Sequence, residues 1–145
     1  MKAVIQRVKG ASVEAKGREV ARISAGLLVL LGITHSDTEQ EAVSLADKVL
    51  KIRIFEDEEG KMNCSVREAK GEVLVVSQFT LYADCRRGRR PSFGKAASPE
   101  KAEKLYELFC RYLENARLVV KKGIFKAKML VKLENDGPVT LILER

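Results

Sequence analysis

Apolar and polar positions change period several times along the chain, and each change predicts an element. Alternating stretches on either side of Lys16-Gly17-Arg18-Glu19 predict a hairpin across Val13 to Ile23, with Gly17 in its turn. Gly26-Leu-Leu-Val-Leu-Leu-Gly-Ile33 is apolar at consecutive positions, the pattern of a central strand covered on both faces. The period then lengthens. Ala42, Leu45, Ala46, Val49 and Leu50 fall at i, i+3, i+4, i+7 and i+8, one stripe of a helix within Thr38 to Lys51. Arg53 to Phe55 and Met62 to Val66 flank the acidic turn Glu56 to Gly60 and predict a second hairpin, and Glu72 to Ser77 is another buried strand. After a polar Gly- and Arg-rich loop over 83–97, Ser98-Pro99 supplies an N-cap and a first-turn proline. The helix it starts keeps its apolar face through Ala102, Leu105, Phe109 and Tyr112. Met129 to Leu133 and Val139 to Leu143 predict two closing strands, separated by a turn at Asn135-Asp-Gly-Pro138.

Roughly eight strands, many of them in hairpins, and two helices make an α+β fold, a mostly antiparallel β-sheet or barrel with two packed helices. A chain of 145 residues fits one domain, 1–145. With 46% apolar residues it has the material for a core, since a chain of this length buries roughly 68–70% of its unfolded surface. The longest apolar run, Leu27 to Leu31, is far short of a membrane span, and charges run through the first twenty residues where a signal peptide needs an apolar middle. A cytoplasmic protein with no membrane partner is expected.

Composition narrows the chemistry. Cys64, Cys85 and Cys110 are widely spaced with no C-x-x-C pair, so neither a disulfide framework nor a zinc cage can be drawn from them. His35 is the single histidine, which excludes a histidine cluster and makes a Ser-His-Asp arrangement depend on that one residue. No Walker loop, G-x-G-x-x-G turn or zinc motif occurs, and neither a metal nor a cofactor is expected.

The net charge of +7 is local. Cys85 to Lys95 holds Arg86, Arg87, Arg89, Arg90 and Lys95 without an acid, and Lys121 to Lys132 holds Lys121, Lys122, Lys126, Lys128 and Lys132, again without one. Setting these ten aside turns the balance slightly acidic. A polyanion docking on one region explains that distribution better than solubility does, the alternative being a solvated loop and strand edge. Phe93 and Phe125 could stack on unpaired bases, but two aromatics do not make an RNA-binding motif.

Two segments carry candidate chemistry. Ser77-Gln78-Phe79-Thr80-Leu81 places two hydroxyls and an amide at the end of a buried strand, where a rigid scaffold holds reactive or binding groups. A Ser or Thr nucleophile needs a base, and the nearest acid is Asp84, so the residues support a polar pocket floor more than covalent catalysis. A strand end whose hydroxyls serve local backbone groups is the plainer alternative. Asn135-Asp136-Gly137-Pro138-Val139-Thr140 reads as a turn feeding an edge strand, and the general rarity of cis X-Pro bonds favours a trans Gly137–Pro138 bond.

Along its whole length the chain resembles the D-aminoacyl-tRNA deacylases of bacteria and eukaryotes. The resemblance rests on Ile5-Gln6-Arg7-Val8, Ala11-Ser12-Val13, Gly26 to Gly32, Gly60 to Asn63, Val76 to Leu81 (V-S-Q-F-T-L), Arg90 to Phe93, Ala97 to Pro99 and Asn135 to Thr140. It implies hydrolysis of the ester between a D-amino acid and the 3′ end of tRNA. It also implies a homodimer with active sites at the subunit interface. Each site would combine Ser77, Gln78, Phe79 and Thr80 of one subunit, as catalytic residues, with Gly137-Pro138 reaching across from the other. In the family that Gly-Pro bond is cis, and its carbonyls exclude the side chain of an L-aminoacyl group. Arg7 would hold that loop from behind, and Phe125 and Met129 would line the pocket near the terminal adenosine. Backbone N–H groups around Phe79 and Thr80 would stabilise the oxyanion and the substrate's own 2′-hydroxyl would assist, with a covalent Thr80 as the minority mechanism. Achiral glycyl-tRNA is the implied second substrate. A non-catalytic tRNA-binding module and a small-molecule esterase remain the competing readings.

Overall fold

The computed structural model describes residues 1–86 and 88–145; Arg87, one of the arginines of the first basic segment, lies outside the described residues. The chain opens with a strand of 14 residues, β1 (Lys2–Ala15), which forms a hairpin with β2 (Arg18–Ile23). Lys16 and Gly17 both take positive φ, 51° and 73°, the backbone of the primed turn that matches strand twist. β3 (Gly26–Gly32) lies beside the first half of β1 in antiparallel register. Its other edge pairs in parallel with β6 (Glu72–Ser77), which pairs in parallel with the short β7 (Val120–Lys122). β4 (Arg53–Glu56) and β5 (Met62–Ser65) form the expected second hairpin as a separate two-stranded sheet.

Two helices cover one face of the main sheet. α1 (Glu39–Lys51) is capped by Thr38, with the reciprocal Glu41 contact of a capping box, and buries the predicted Ala42, Leu45, Ala46, Val49 and Leu50. α2 (Pro99–Asn115) starts where Ser98-Pro99 predicts, although the Ser98 side chain makes no capping hydrogen bond. It buries Leu105, Tyr106, Phe109, Cys110 and Leu113, while Ala102 and Tyr112 of the predicted stripe are only half-buried. The strands' alternation sorts the core in two. Leu27, Val29, Leu31, Val73 and Val75 face the helices. Leu28, Leu74 and Val76 face the inside of the curled sheet with Val8, Val13 and Ile23, and Met129 and Val131 pack against them to make the sheet barrel-like.

Two expectations are corrected at the C-terminal end. Met129 to Leu133 and Val139 to Leu143 are not two strands but the ends of one, β8 (Met129–Glu144), paired along the whole of β1. β7 has too few residues to show a period, and sequence reading passes over it. Among the described residues the strand total is eight, as expected, but two of its members differ. What reads as a turn is a bulge within β8: Gln6 pairs with Thr140 and Val8 with Asn135, so two steps along β1 are matched by five along β8. A further irregularity between Val8 and Gly10 flips the alternation of β1, which sends Ala3 and Ile5 to the helix side but Ala11 and Val13 to the interior. Among the described residues no helix is long and apolar enough to cross a membrane.

Candidate functional site

β3, β6 and β7 run in parallel, and a mainly apolar recess opens beyond the carboxyl end of β6, the usual place for a ligand in parallel sheets. Its volume is about 450 Å³, in the range of small-molecule sites. Val76, Ser77, Gln78 and Phe79 form one side, Ala97, Pro99 and Ala102 at the start of α2 a second, and Phe125, Met129 and Val131 a third.

The turn that ends β6 is tightly tied. The Gln78 N–H donates to the Leu31 carbonyl at 2.8 Å, which extends the β3 pairing by one step, and Phe79–Tyr82 then coil into a single 3₁₀ turn. Leu81 N–H returns to Gln78 O at 3.3 Å and Ala83 N–H to Thr80 O at 3.0 Å. The N–H groups of Phe79 and Thr80 begin this turn and so have no intrahelical carbonyl to serve. The Gln78 amide donates to the Thr80 hydroxyl, and the Phe79 ring, more than half exposed, meets Phe93 edge-on at 4.9 Å.

Behind the pocket, the fully buried Tyr106 donates its hydroxyl to Val75 O at 2.8 Å, the same oxygen that accepts Gly123 N–H at 2.9 Å. Its ring lies 6.0 Å from that of Phe125. One α2 side chain thus braces both β6 and the Phe125 loop. Burial raises the pKa of this phenol and pushes the neighbouring Cys110 thiol up to about 12, so both stay protonated. Sequence reading missed Tyr106 because a tyrosine on an apolar helical face looks like ordinary core.

Among the described residues no carboxylate or histidine lines the recess. Asp84 is engaged by Arg86, with Nε at 2.9 Å from Oδ1, and that guanidinium holds its carboxyl well below the usual carboxylate range. A carboxylate so stabilised is a poor proton acceptor. His35 is exposed and lies outside the lining, and the described residues contain no cluster of His, Cys, Asp and Glu that could hold a metal.

The second predicted segment forms a separate structure. Arg7 is 5% exposed and sits opposite the β8 bulge, donating through Nε to Asp136 O at 3.0 Å and through Nη1 to Ile54 O at 2.7 Å. The Asn135 side chain closes the bulge from within, accepting from Val139 N–H at 2.8 Å and donating to Val139 O at 3.2 Å. Gly137 has φ 136°, and a Cβ there would lie 2.7 Å from Val139 Cγ2 and 3.0 Å from Val139 N. The Gly137–Pro138 bond is cis, as the family resemblance implies and against the trans bond that general rarity favours. Both residues are exposed.

The structure therefore brings Ser77, Gln78, Phe79, Phe125 and Met129 to one recess. It puts Thr80 on the adjoining turn, outside the lining, and leaves Arg7 on β1 and Gly137 and Pro138 on β8 outside the lining as well.

A family model described as D-Tyr-tRNA(Tyr) deacylase matches residues 4–144. Proteins named D-aminoacyl-tRNA deacylase from Thermosipho melanesiensis and Brevibacillus brevis are 54% and 58% identical to this chain. The alignments cover 99% of it in both cases, and 97% and 99% of those proteins. A solved structure described as "c-Myc DNA Unwinding Element Binding Protein" superposes with a TM-score of 0.94 at 44% identity, over 100% of this chain and 99% of that one. Another, described as "Structural Analysis of a probable eukaryotic D-amino acid tRNA deacylase", gives 0.85 at 18% identity over 99% and 98%, a likeness of fold.

Proposed function

The chain belongs to the D-aminoacyl-tRNA deacylase family, and from that premise we propose that its recess binds the aminoacylated 3′ end of tRNA and hydrolyses the ester of a D-amino acid. The observation that carries this reading is a full-length match at more than half identity, joined to a pocket that no described carboxylate or histidine lines. An aminoacyl ester is already activated, so a site that orients it and stabilises the tetrahedral oxyanion can suffice. The N–H groups of Phe79 and Thr80 supply donors for that oxyanion. The substrate's 2′-hydroxyl assists the attacking water, and the acyl C–O bond breaks to release the amino acid and the ribose hydroxyl. Ser77 and Gln78 hold the ester, and Phe125 and Met129 line the place of the terminal adenosine.

Rejection of L-esters belongs to Gly137-Pro138 of a second copy. Two observations support this. The bulge is held by hydrogen bonds from Arg7 and Asn135 yet contributes nothing to the lining of its own chain's recess, and large apolar side chains stand exposed: Phe79 at 55%, Leu130 at 55% and Ile142 at 65%. A homodimer that covers such side chains would complete each pocket with its partner's bulge. A sieve that acts on the direction of a side chain passes glycine, which makes glycyl-tRNA a second substrate.

The test is release of labelled amino acid from matched D-Tyr-tRNA and L-Tyr-tRNA at sub-stoichiometric enzyme. Turnover of the D-ester with the L-ester spared is the expected result. Survival of both esters while tRNA still binds would replace the enzyme with a tRNA-binding module.

A further inference from the structure

The ten basic residues of the two acid-free segments are not equivalent once folded. Arg86 pairs with Asp84, Lys122 with Glu107 at 2.8 Å, and Lys132 with Glu14. Those three cations are spent on the fold, and Arg87 lies outside the described residues. Among the described residues, Arg89, Arg90, Lys95, Lys121, Lys126 and Lys128 are exposed and form no ion pair, and of these six Lys126 alone lines the recess, with Lys128 two residues on. Lys126 and Lys128 sit on the connection from β7 to β8, which also carries Phe125.

That connection is held against the pocket. Its first residue, Gly123, donates to Val75 O at 2.9 Å, one residue before Val76 of the pocket wall. Ala127 N–H closes a turn on Ile124 O at 3.2 Å, and Lys126 takes a positive φ of 61° at its apex. Phe125, Lys126, Ala127 and Met129 all line the recess, and Lys128, which does not, lies in the chain between two residues that do. A recess of about 450 Å³ with apolar walls has room for a nucleoside and its acyl group, not for the charged chain leading to them. The charge has to be met at the rim.

Building on the reading of the pocket given above, we infer that Lys126 and Lys128 bind the phosphodiesters preceding the terminal nucleoside of a single-stranded RNA 3′ end. One loop then grips both parts of the terminus, Phe125 the nucleoside and the lysines the backbone. Lysine suits this role. Its compact ammonium meets a phosphate without a fixed geometry, and phosphate contacts carry no sequence information, as fits a substrate defined by its ester.

The experiment compares two substrates, whole D-Tyr-tRNA and the minimal ester D-Tyr-adenosine, which has no phosphodiester. For Lys126→Gln/Lys128→Gln, the ratio of kcat/KM on the tRNA to that on the minimal ester falls roughly tenfold, through KM on the tRNA. Lys51→Gln, at the far end of α1 and paired with Asp47, leaves the ratio at its wild-type value. Binding of uncharged tRNA, followed from 50 to 300 mM salt, needs no turnover, and there the double variant loses about 1.4 of the log–log slope, two contacts at ~0.7 each. An unchanged ratio, or equal losses on both substrates, overturns the phosphate assignment, as does an unchanged slope. If wild type cleaves neither ester but the slope still falls, the deacylase reading is the one that fails and the lysine assignment stands.

Discussion

The recess beyond β6 and the bulge on β8 are built on opposite principles. The recess is an absence: small residues at the start of α2 and aromatic edges leave about 450 Å³, with Phe79 half out in solvent. The bulge is over-determined, with Arg7 and Asn135 making four hydrogen bonds around a loop only a few residues long and a fifth tying Arg7 back to Ile54 O. A surface that must accept a flexible ester can be open. A surface that must refuse an enantiomer has to hold its position against the side chain it excludes, because a yielding loop would move aside and let both hands in.

Removing the brace should have the largest effect. Arg7→Ala orphans the Ile54 carbonyl and frees the bulge, and we expect a loss of about 3 kcal/mol in urea unfolding. The same variant should lose discrimination between D- and L-esters by more than it loses kcat on the D-ester. Equal losses would mean that the brace serves the fold alone. Gly137→Ala tests the loop with Arg7 still present, although the new Cβ would lie 3.3 Å from Arg7 Nη2. Its Cβ meets Val139 in a backbone region that disfavours side chains, at a cost of about 2 kcal/mol, and L-ester release should rise relative to wild type.

The recess should answer differently. Phe125→Ala opens one wall and should raise KM for the aminoacyl ester about tenfold, with the D/L ratio unchanged. If the ratio collapsed with it, the two regions would not be divided as described. Thr80→Ala should keep kcat within about fivefold of wild type, since the chemistry needs the backbone N–H and not the hydroxyl. Complete loss of turnover with tRNA binding intact would instead make Thr80 the nucleophile.

The smallest effects lie behind the recess. Tyr106→Phe removes one donor from Val75 O while Gly123 N–H remains, a cost of about 1 kcal/mol. Cys110 gives a pH signature. The unfolded thiol ionises near 9.0 and the folded one at about 12, so above pH 9 the unfolded state holds fewer protons and unfolding becomes easier. Stability should be level in this respect below pH 8 and decline from pH 9 toward 12. Cys110→Ala should reduce the slope in urea midpoints measured between pH 8 and 10.5.

The elements legible in the sequence are those whose pattern is local. α1 buries the five residues its spacing names, and β6 has the bounds its apolar run gives, because one buried face writes itself into a period. β7 has three residues, too few for any period. Asn135 to Pro138 looks like a turn because its residue types are those of turns, and only the pairing of β8 with β1 on both sides makes it a bulge. For the site, the motif around Ser77 and its missing base are both visible in the sequence. Tyr106 is not, since its role lies in one hydrogen bond to a strand 31 residues away.

Two hairpins, two helices, the local concentration of positive charge and the lack of a histidine cluster or zinc motif can all be read along the chain. These follow from neighbours along the chain, where period, turn chemistry and composition act. The tertiary structure decided which cations are free, because Lys122 and Lys132 are neutralised by Glu107 and Glu14, acids remote in sequence. It also decided that Arg7 and Ser77 serve different places. Both sit on or at the end of strands of one sheet, and only strand order and register, fixed by burial on two faces, put β3 between them.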